Sequence, residues 1–143
     1  MNKYQAQNVI SGSSGEVWID SDYMAEVTAL EAKASLDKQE VTQIRSQGSK
    51  GYKVMGIDGK GTLKFNKVDS YFIKRLSDDL KRGKTTVFTI ISKLDDPDVN
   101  GQERIKLSGV IFDELSLVNW EAGKLNEESM AFTFTDWEPL DTI

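Results

Sequence analysis

The end of the chain alternates apolar and polar residues with a strict period of two, and this pattern limits the fold more than any other feature. Over residues 129–137 one set of positions is Met130, Phe132 and Phe134, and the positions between them are Ala131, Thr133 and Thr135. Successive side chains of a strand point to opposite faces, so this segment is predicted to be a strand with one buried face. A buried face needs a second layer to cover it. The pattern therefore predicts a β-dominated domain.

Residues 23–44 allow two interpretations. Val27, Leu30 and Ala34 fall at helical spacing, and the segment is rich in Ala, Glu and Lys. Residues 30–37 nevertheless alternate strictly, with a slip in phase between residues 29 and 30 that a β-bulge would explain. No capping signal brackets a helix here, so the pattern favours a long bent strand and leaves a helix as the alternative.

Residues 42–61 are predicted to form a long flexible hairpin loop, because five glycines fall at positions 48, 51, 56, 59 and 61. Between residues 42 and 57 the charged side chains are Arg45, Lys50 and Lys53. A phosphate-binding loop is disfavoured, since Gly59-Lys60-Gly61-Thr62 lacks the glycine spacing of that motif and precedes a predicted strand.

Residues 69–82 carry the helix signals of the chain. Asp69 suits an N-cap, Val68 can contact Ile73 across it, and Gly83 follows the last turn. The apolar stripe comprises Phe72, Ile73, Leu76 and Leu80. Further strands are predicted at residues 17–19, 62–67, 85–94 and 103–112, with another possible at 115–120. With no internal repeat or linker, residues 1–143 are expected to form a single domain of mainly β structure with one helix.

The residue types available exclude most enzyme chemistry. The 143 residues contain no Cys and no His, which excludes a disulfide scaffold, a cysteine nucleophile and the usual general base near neutral pH. Acidic neighbours such as Asp113-Glu114 point to opposite faces of a strand and do not converge. We therefore expect no enzymatic activity, no catalytic residues and no cofactor.

Residues 96–101 match the first half of a calcium-binding EF-hand loop. The twelfth position, which should be a bidentate Glu, is Leu107, and no helix follows. A hairpin turn built by Pro97, Asn100 and Gly101 explains the same residues, so no metal site is predicted, although a weak calcium site stays possible.

The formal net charge of -5 is divided unevenly along the chain. Residues 1–112 contain 17 basic and 15 acidic side chains, a net of +2, and residues 113–143 contain eight acidic side chains and one basic one, a net of -7. A nucleic-acid binder should present a coherent basic surface. The sequence therefore disfavours stable DNA binding. Residues 1–14 lack the apolar core of a signal peptide, so synthesis and folding in the cytoplasm are expected.

An ordered set of short motifs resembles the tail tube proteins of contractile phage tails, including those of PBSX-type defective prophages and phage-tail-like bacteriocins. The motifs are Ala6-Gln7-Asn8-Val9-Ile10-Ser11-Gly12, Gly59-Lys60-Gly61-Thr62 leading to Phe65 and Lys67-Val68, Glu103-Arg104-Ile105-Lys106-Leu107, Phe112-Asp113, and Phe132-Thr133-Phe134-Thr135-Asp136. No single motif is specific, but their order and spacing cover nearly the whole chain.

The resemblance implies an antiparallel β-sandwich or small barrel with one flanking α-helix, akin to the tube protein of type VI secretion systems. It also implies self-assembly into six-membered rings that stack into a tube around a lumen, and it resolves residues 23–44 as strand. The implied partners are a tail sheath protein, a tape measure protein and baseplate or tube-initiator proteins, with DNA only as passing cargo in a true phage and no membrane. Assembly in the host cytoplasm would precede incorporation into the tail.

From charge and position we predict a ring-stacking interface in which a basic loop meets an acidic surface of the next ring. Its residues are Arg45, Lys50, Lys53 and Lys60 on the basic side and Asp113, Glu114, Glu127 and Glu128 on the acidic side. The alternative function is a monomeric small β-barrel that binds a ligand in an apolar cavity, lined by residues such as Phe88, Ile90, Phe132 and Phe134. The sequence does not distinguish an intact phage from a DNA-free particle.

Overall fold

The computed structural model describes residue 6 and residues 9–42, 50–98 and 101–143. A 3₁₀ turn, Gly12–Ser14, precedes the sheet. The strands are β1 Gly15–Ile19, β2 Asp22–Tyr23, β3 Val27–Val41, β4 Gly51–Asn66, β5 Phe88–Leu94, β6 Glu103–Phe112, β7 Glu127–Phe134 and β8 Asp136–Asp141, and the helix α1 is Tyr71–Lys81. The predicted β-dominated fold with one helix is confirmed.

The strands form one antiparallel path in the order β2-β1-β5-β6-β7-β4-β3, and β8 pairs with β6 outside this path. The path is not closed, because within the described ranges no pairing joins β2 to β3. Of the two architectures expected, the structure therefore agrees with the open antiparallel one, and the described strands of one chain do not form a closed barrel.

Gly109 makes the corner at which β6 passes from one half of the sheet to the other. On one edge of β6 the pairing with β8 ends at Ser108 and Ile111 and Phe112 pair with β7, while on the other edge the pairing with β5 continues to Val110. Gly109 has φ +67°, and a Cβ atom there would collide with the Thr135 side chain. Glycine is required at this position both by its backbone conformation and by the close approach of Thr135.

The predicted loop at 42–61 is wrong over residues 51–61, which belong to β4. Gly59 and Gly61 lie in the strand, where a Cβ on Gly59 would come within 2.6 Å of the Phe134 ring and one on Gly61 would meet the Phe132 ring. The glycines thus make room for aromatic rings over a strand rather than for a turn. Residues 43–49 lie outside the described residues.

β3 confirms the strand interpretation of residues 23–44 over Val27–Val41. Its register against β4 shifts between Val27 and Ala29, one residue before the predicted bulge, and again between Asp37 and Lys38. The alternation of Leu30, Ala32 and Ala34 therefore records one face of a strand.

An aromatic core lies between the two halves of the sheet and is closed at one side by α1. The rings of Phe65, Phe88 and Phe112 each lie within 6.4 Å of the Phe72 ring, measured between centroids, so the helix is fixed to three strands by one side chain. Leu76 is the other buried residue of α1. Edge-to-face packing of this kind adds to the hydrophobic contribution of burial.

The helix is shorter than the predicted 69–82, with Ser70 as its N-cap. The Asp69 carboxylate still accepts a hydrogen bond from the Tyr71 N–H at 3.1 Å. At the other end Gly83 has φ +70°, and the N–H groups of Gly83 and Lys84 donate to Leu80 and Asp79, which is the predicted glycine C-terminus. The predicted contact of Val68 is not a buried one, because 71% of that residue is exposed.

A polar network joins α1 to the turn between β1 and β2. The Arg75 guanidinium lies 2.7 Å from an Asp20 carboxylate oxygen and 4.8 Å from the Phe88 ring centroid, and it donates to the Tyr71 hydroxyl. That hydroxyl donates to Asp22. Burial, together with the hydrogen bond to Asp22, raises the pKa of Tyr71 to about 12. The network sets the position of the helix on the sheet.

We predict that Gly109→Ala lowers the free energy of unfolding by about 2–4 kcal/mol, because it adds a steric collision to an unfavourable backbone conformation. Gly123→Ala is the matched control, since Gly123 also has positive φ but has nothing within 4 Å of the position that an added Cβ would take. Gly123→Ala should lower the free energy of unfolding by about 1 kcal/mol, because it carries the cost of the backbone conformation without a steric collision. Urea unfolding of both variants measures the difference, and equal losses would contradict the assigned role of Thr135.

Candidate assembly surfaces

The outer halves of β3 and β4 extend past the rest of the sheet. β7 pairs with β4 only over Gly59–Asn66, whereas β3 pairs with β4 as far as Val41↔Gly51. Residues 35–42 and 50–58, named here the distal hairpin, therefore lack a third strand beside them in the described structure. Its exposed apolar side chains are Leu36, Val41, Tyr52, Val54, Met55 and Ile57, with exposed fractions from 42% to 60%.

The basic residues predicted for ring stacking divide between two places. Lys50 and Lys53 are exposed on the distal hairpin, and Arg45 lies outside the described residues. Residues 38–57 contain four basic side chains and one acidic one. Lys60 instead lies in the middle of β4, paired with Lys33 and Thr133. The structure groups Lys50 with Lys53 and separates Lys60 from both.

Lys60 lines an open depression of about 410 Å³ on the outward face of β3, β4 and β7, together with Asp113. Glu31 and Lys33 on the same wall form an ion pair at 2.9 Å. The hydrogen bond from Lys33 lowers the pKa of Glu31, and both side chains are well exposed. This wall carries charges of both signs and short Thr and Ala side chains.

The acidic residues lie at the other end of β4 from the distal hairpin. Glu127 pairs with Asn66 at the end of β4, and the Asp113 N–H donates to the Ala131 carbonyl one step beyond β6. Asp113, Glu114 and Glu127 are exposed. Lys50 and Lys53 therefore lie at the opposite end of β4 from Asp113, Glu114 and Glu127, whereas Lys60 lines the same depression as Asp113.

Glu128 is placed differently from the expectation. It is 7% exposed, and its Oε1 lies 3.5 Å from the Lys67 Nζ, without a hydrogen-bond partner. The alternation of β7 already contains this result, because Glu128 falls in phase with Met130, Phe132 and Phe134. If the alternation is continued two residues toward the N-terminus from Met130, it predicts that Glu128 faces inward.

The sequence also missed the loop between β6 and β7. Residues 113–126, named here the acidic-end loop, contain no strand, so the possible strand at 115–120 is wrong. Leu117, Val118, Trp120 and Leu125 are 63%, 77%, 76% and 96% exposed. The sequence signal that distinguishes such a loop from a strand is a set of apolar residues that do not alternate and are interrupted by the turn-forming Asn119 and Gly123.

Asp96, the first acidic residue of the segment that resembles a calcium loop, binds backbone N–H groups. Its carboxylate accepts hydrogen bonds from the backbone N–H groups of Ser11 at 2.8 Å and Asp98 at 3.0 Å. These bonds, that of Asp98 first, lower the pKa of Asp96. In the described part of the chain no three acidic side chains lie close enough together to hold a metal ion. The turn thus ties the N-terminal segment to the end of β5.

The residues expected to line a ligand cavity pack against one another instead. Phe88, Ile90 and Phe132 are at most 1% exposed and belong to the core. An open groove of about 320 Å³ between β3 and β6 contacts Phe134, but its other apolar walls are formed by residues such as Leu107 and Trp137. This arrangement gives no support to a closed carrier cavity. No helix among the described residues is long and apolar enough to cross a membrane.

Comparison with known proteins gives matches along almost the whole chain. The model of a family described as phage tail tube protein matches residues 2–141. The phage-like element PBSX protein XkdM of Bacillus subtilis (strain 168) is 35% identical over 136 residues, covering 94% of this chain and 92% of XkdM.

Two solved structures share the fold at low sequence identity. The sheath-tube complex of the extracellular contractile injection system PVC contains a chain with TM-score 0.73 and 9% identity, covering 96% of this chain and 95% of that one. The tube-terminating cap of the anti-feeding prophage contains one with TM-score 0.74 and 10% identity, covering 99% and 97%.

We predict that Asp96→Asn destabilises the protein at pH 7 and that its difference from the unaltered chain shrinks as the pH falls below about 4. The folded-state pKa of Asp96 is below the unfolded one, so its stabilisation is present above the unfolded pKa and is lost as pH falls through the folded pKa. Urea unfolding at pH 7 and pH 3 measures this. Asp98→Asn is the control, since Asp98 contributes a backbone N–H, and a pH-independent loss in Asp96→Asn would refute the assignment.

Proposed function

Because this chain belongs to the phage tail tube protein family, we propose that this tail tube subunit assembles into six-membered rings, which stack along one axis as the inner tube of a contractile particle. The observation that carries the proposal is the distal hairpin, whose apolar side chains project past the end of β7. A surface of this kind favours contact with another copy of the chain.

Lateral closure follows from the edge of the sheet. β3 is 15 residues long, and among the described strands it pairs only with β4. A long unpaired edge is a template for association with another strand, and a closed ring of subunits removes it. We assign ring formation to contacts along this edge.

Axial stacking follows from the two unlike ends of the molecule. Lys50 and Lys53 lie at one end, and Asp113, Glu114 and Glu127 lie at the other. A head-to-tail contact places these groups against each other, and it can repeat without limit along an axis. Lys60 belongs to the outward face of the sheet, and Glu128 to the interior, so we assign neither to the stacking contact.

The partners in this proposal are a tail sheath protein around the tube and tape measure and baseplate proteins at its ends. The PVC chain comes from a sheath-tube complex, and the anti-feeding prophage chain from a tube cap, which supports a place in such a particle. Assembly takes place in the host cytoplasm before the finished tail is released. DNA is passing cargo where the particle is a true phage, because a net charge of -5 does not favour a stable complex with phosphates. The role is structural and needs no catalytic group.

We predict that reversing Arg45, Lys50 and Lys53 to Glu prevents tube formation while the monomer stays folded, because each reversal places like charges across the stacking contact. The control reverses Lys74, Lys81 and Lys84, which are exposed around the helix and change the net charge equally. Negative-stain electron microscopy measures tube number and length, and circular dichroism measures folding.

Reversing Asp113, Glu114 and Glu127 to Lys in the same chain should restore tubes. Tubes of normal length from the first triple variant would contradict the stacking assignment. An equal loss of tubes in the helix control would contradict it too, because the effect would then follow from net charge alone.

A further inference from the structure

We propose that the acidic-end loop, centred on Trp120, is the receptor for the apolar face of the distal hairpin from a copy in the adjacent ring. This inference rests on the proposed function and adds to it the two apolar surfaces that meet between rings.

The acidic-end loop is a fixed surface rather than a loose connection. It begins at Asp113, whose N–H donates to Ala131, and ends at Asn126, whose carbonyl accepts from the Lys67 N–H at 2.8 Å. In its middle the Lys124 N–H donates to the Glu121 carbonyl, and Leu115 packs against the core. The apolar side chains between these anchors are nonetheless more than 60% exposed, which is the arrangement of a preformed docking site.

The distal hairpin offers a matching apolar face. Gly59, which pairs with Ala34, is the last residue of β4 that has Phe134 beside it. The next pair on the same face of the hairpin, two residues farther out, is Leu36 with Ile57. Past the bulge, Tyr52 and Val54 continue the same face opposite Glu40 and Lys38, and the Lys38 Nζ lies 5.7 Å from the centroid of the Tyr52 ring. The side of the hairpin that faces the core near Phe134 thus runs on, uncovered, toward its tip.

The two surfaces lie at opposite ends of the same strand. At a rise of about 3.3 Å per residue, β4 spans about 45 Å from Tyr52 to Asn66, beside which the acidic-end loop closes. Surfaces so far apart do not meet within one chain. In a head-to-tail stack they face each other, with Lys50 and Lys53 carried by the distal hairpin and Asp113 and Glu114 by the acidic-end loop. Apolar contact and charge complementarity therefore select the same partner, a second copy of this chain.

The test uses the absence of cysteine from the sequence. Gln39→Cys and Asn119→Cys are combined in one chain, tubes are assembled, and a short bismaleimide is added; both residues are exposed and polar, so Tyr52 and Trp120 keep their contacts. Each single variant is a control for nonspecific reaction. Gln39→Cys with Leu80→Cys is the mismatched pair, because Leu80 is an exposed residue of α1. The products are resolved by denaturing electrophoresis, and the same samples are imaged by electron microscopy.

We expect the matched pair to give a ladder of covalent oligomers that continues beyond six chains, because an axial contact has no closing point. A ladder that stops at six chains would place the contact within a ring, and a ladder that stops at two would make the contact that of a symmetric dimer. Either result overturns the inference. Tubes without crosslinks would show that the distal hairpin and the acidic-end loop do not meet between subunits, which refutes the inference and leaves the proposed function intact. Absence of tubes from the unaltered chain would instead refute the proposed function.

Discussion

The length of the β3–β4 hairpin exceeds the length of the core that can cover it, and most features of this molecule depend on that mismatch. The aromatic core reaches Phe134, which lies over Gly59, and beyond this point no described strand other than β3 flanks β4. Leu36, Tyr52 and Ile57 carry apolar surface into solvent there, and because each is already about half covered, covering the rest would contribute about 1 kcal/mol per side chain. A chain that keeps such a hairpin needs another molecule to complete it, and the family of tail tube proteins to which it belongs is consistent with a copy of itself.

The sequence predicts what depends on near neighbours and misses what depends on distant ones. The alternation of residues 129–137 and the glycine end of α1 are local, and both are confirmed. Gly59 and Gly61 have the sequence pattern of loop residues because the rings that need their space, Phe134 and Phe132, lie about 70 positions away in the chain. The corner at Gly109 depends in the same way on Thr135, which approaches it from the junction of β7 and β8.

The candidate site is predictable from the sequence in outline, but not in all its members. The division of charge along the chain predicts two unlike ends, but charge alone does not say which acidic groups are available. Three acidic side chains of residues 113–143 form ion pairs within the chain: Glu128 with Lys67, Glu121 with Lys124, and Asp141 with Arg104 at 2.6 Å. Five acidic groups remain exposed: Asp113 and Glu114 in the loop that carries Trp120, Glu127 directly after this loop, and Asp136 and Glu138 in β8.

The molecule has two kinds of unsatisfied surface, one for each direction of the proposed assembly. The edge of β3 presents backbone donors and acceptors, which only another strand in a fixed register satisfies, and a closed ring satisfies every such edge. The ends of the molecule present apolar and charged side chains, which tolerate small rotations between partners and suit a contact that repeats along an axis. If rings form as proposed, the stronger directional bonds hold each ring and the side-chain contacts hold one ring to the next. Weakening the axial contact should then release intact rings, whereas interrupting the β3 edge should abolish both levels of assembly.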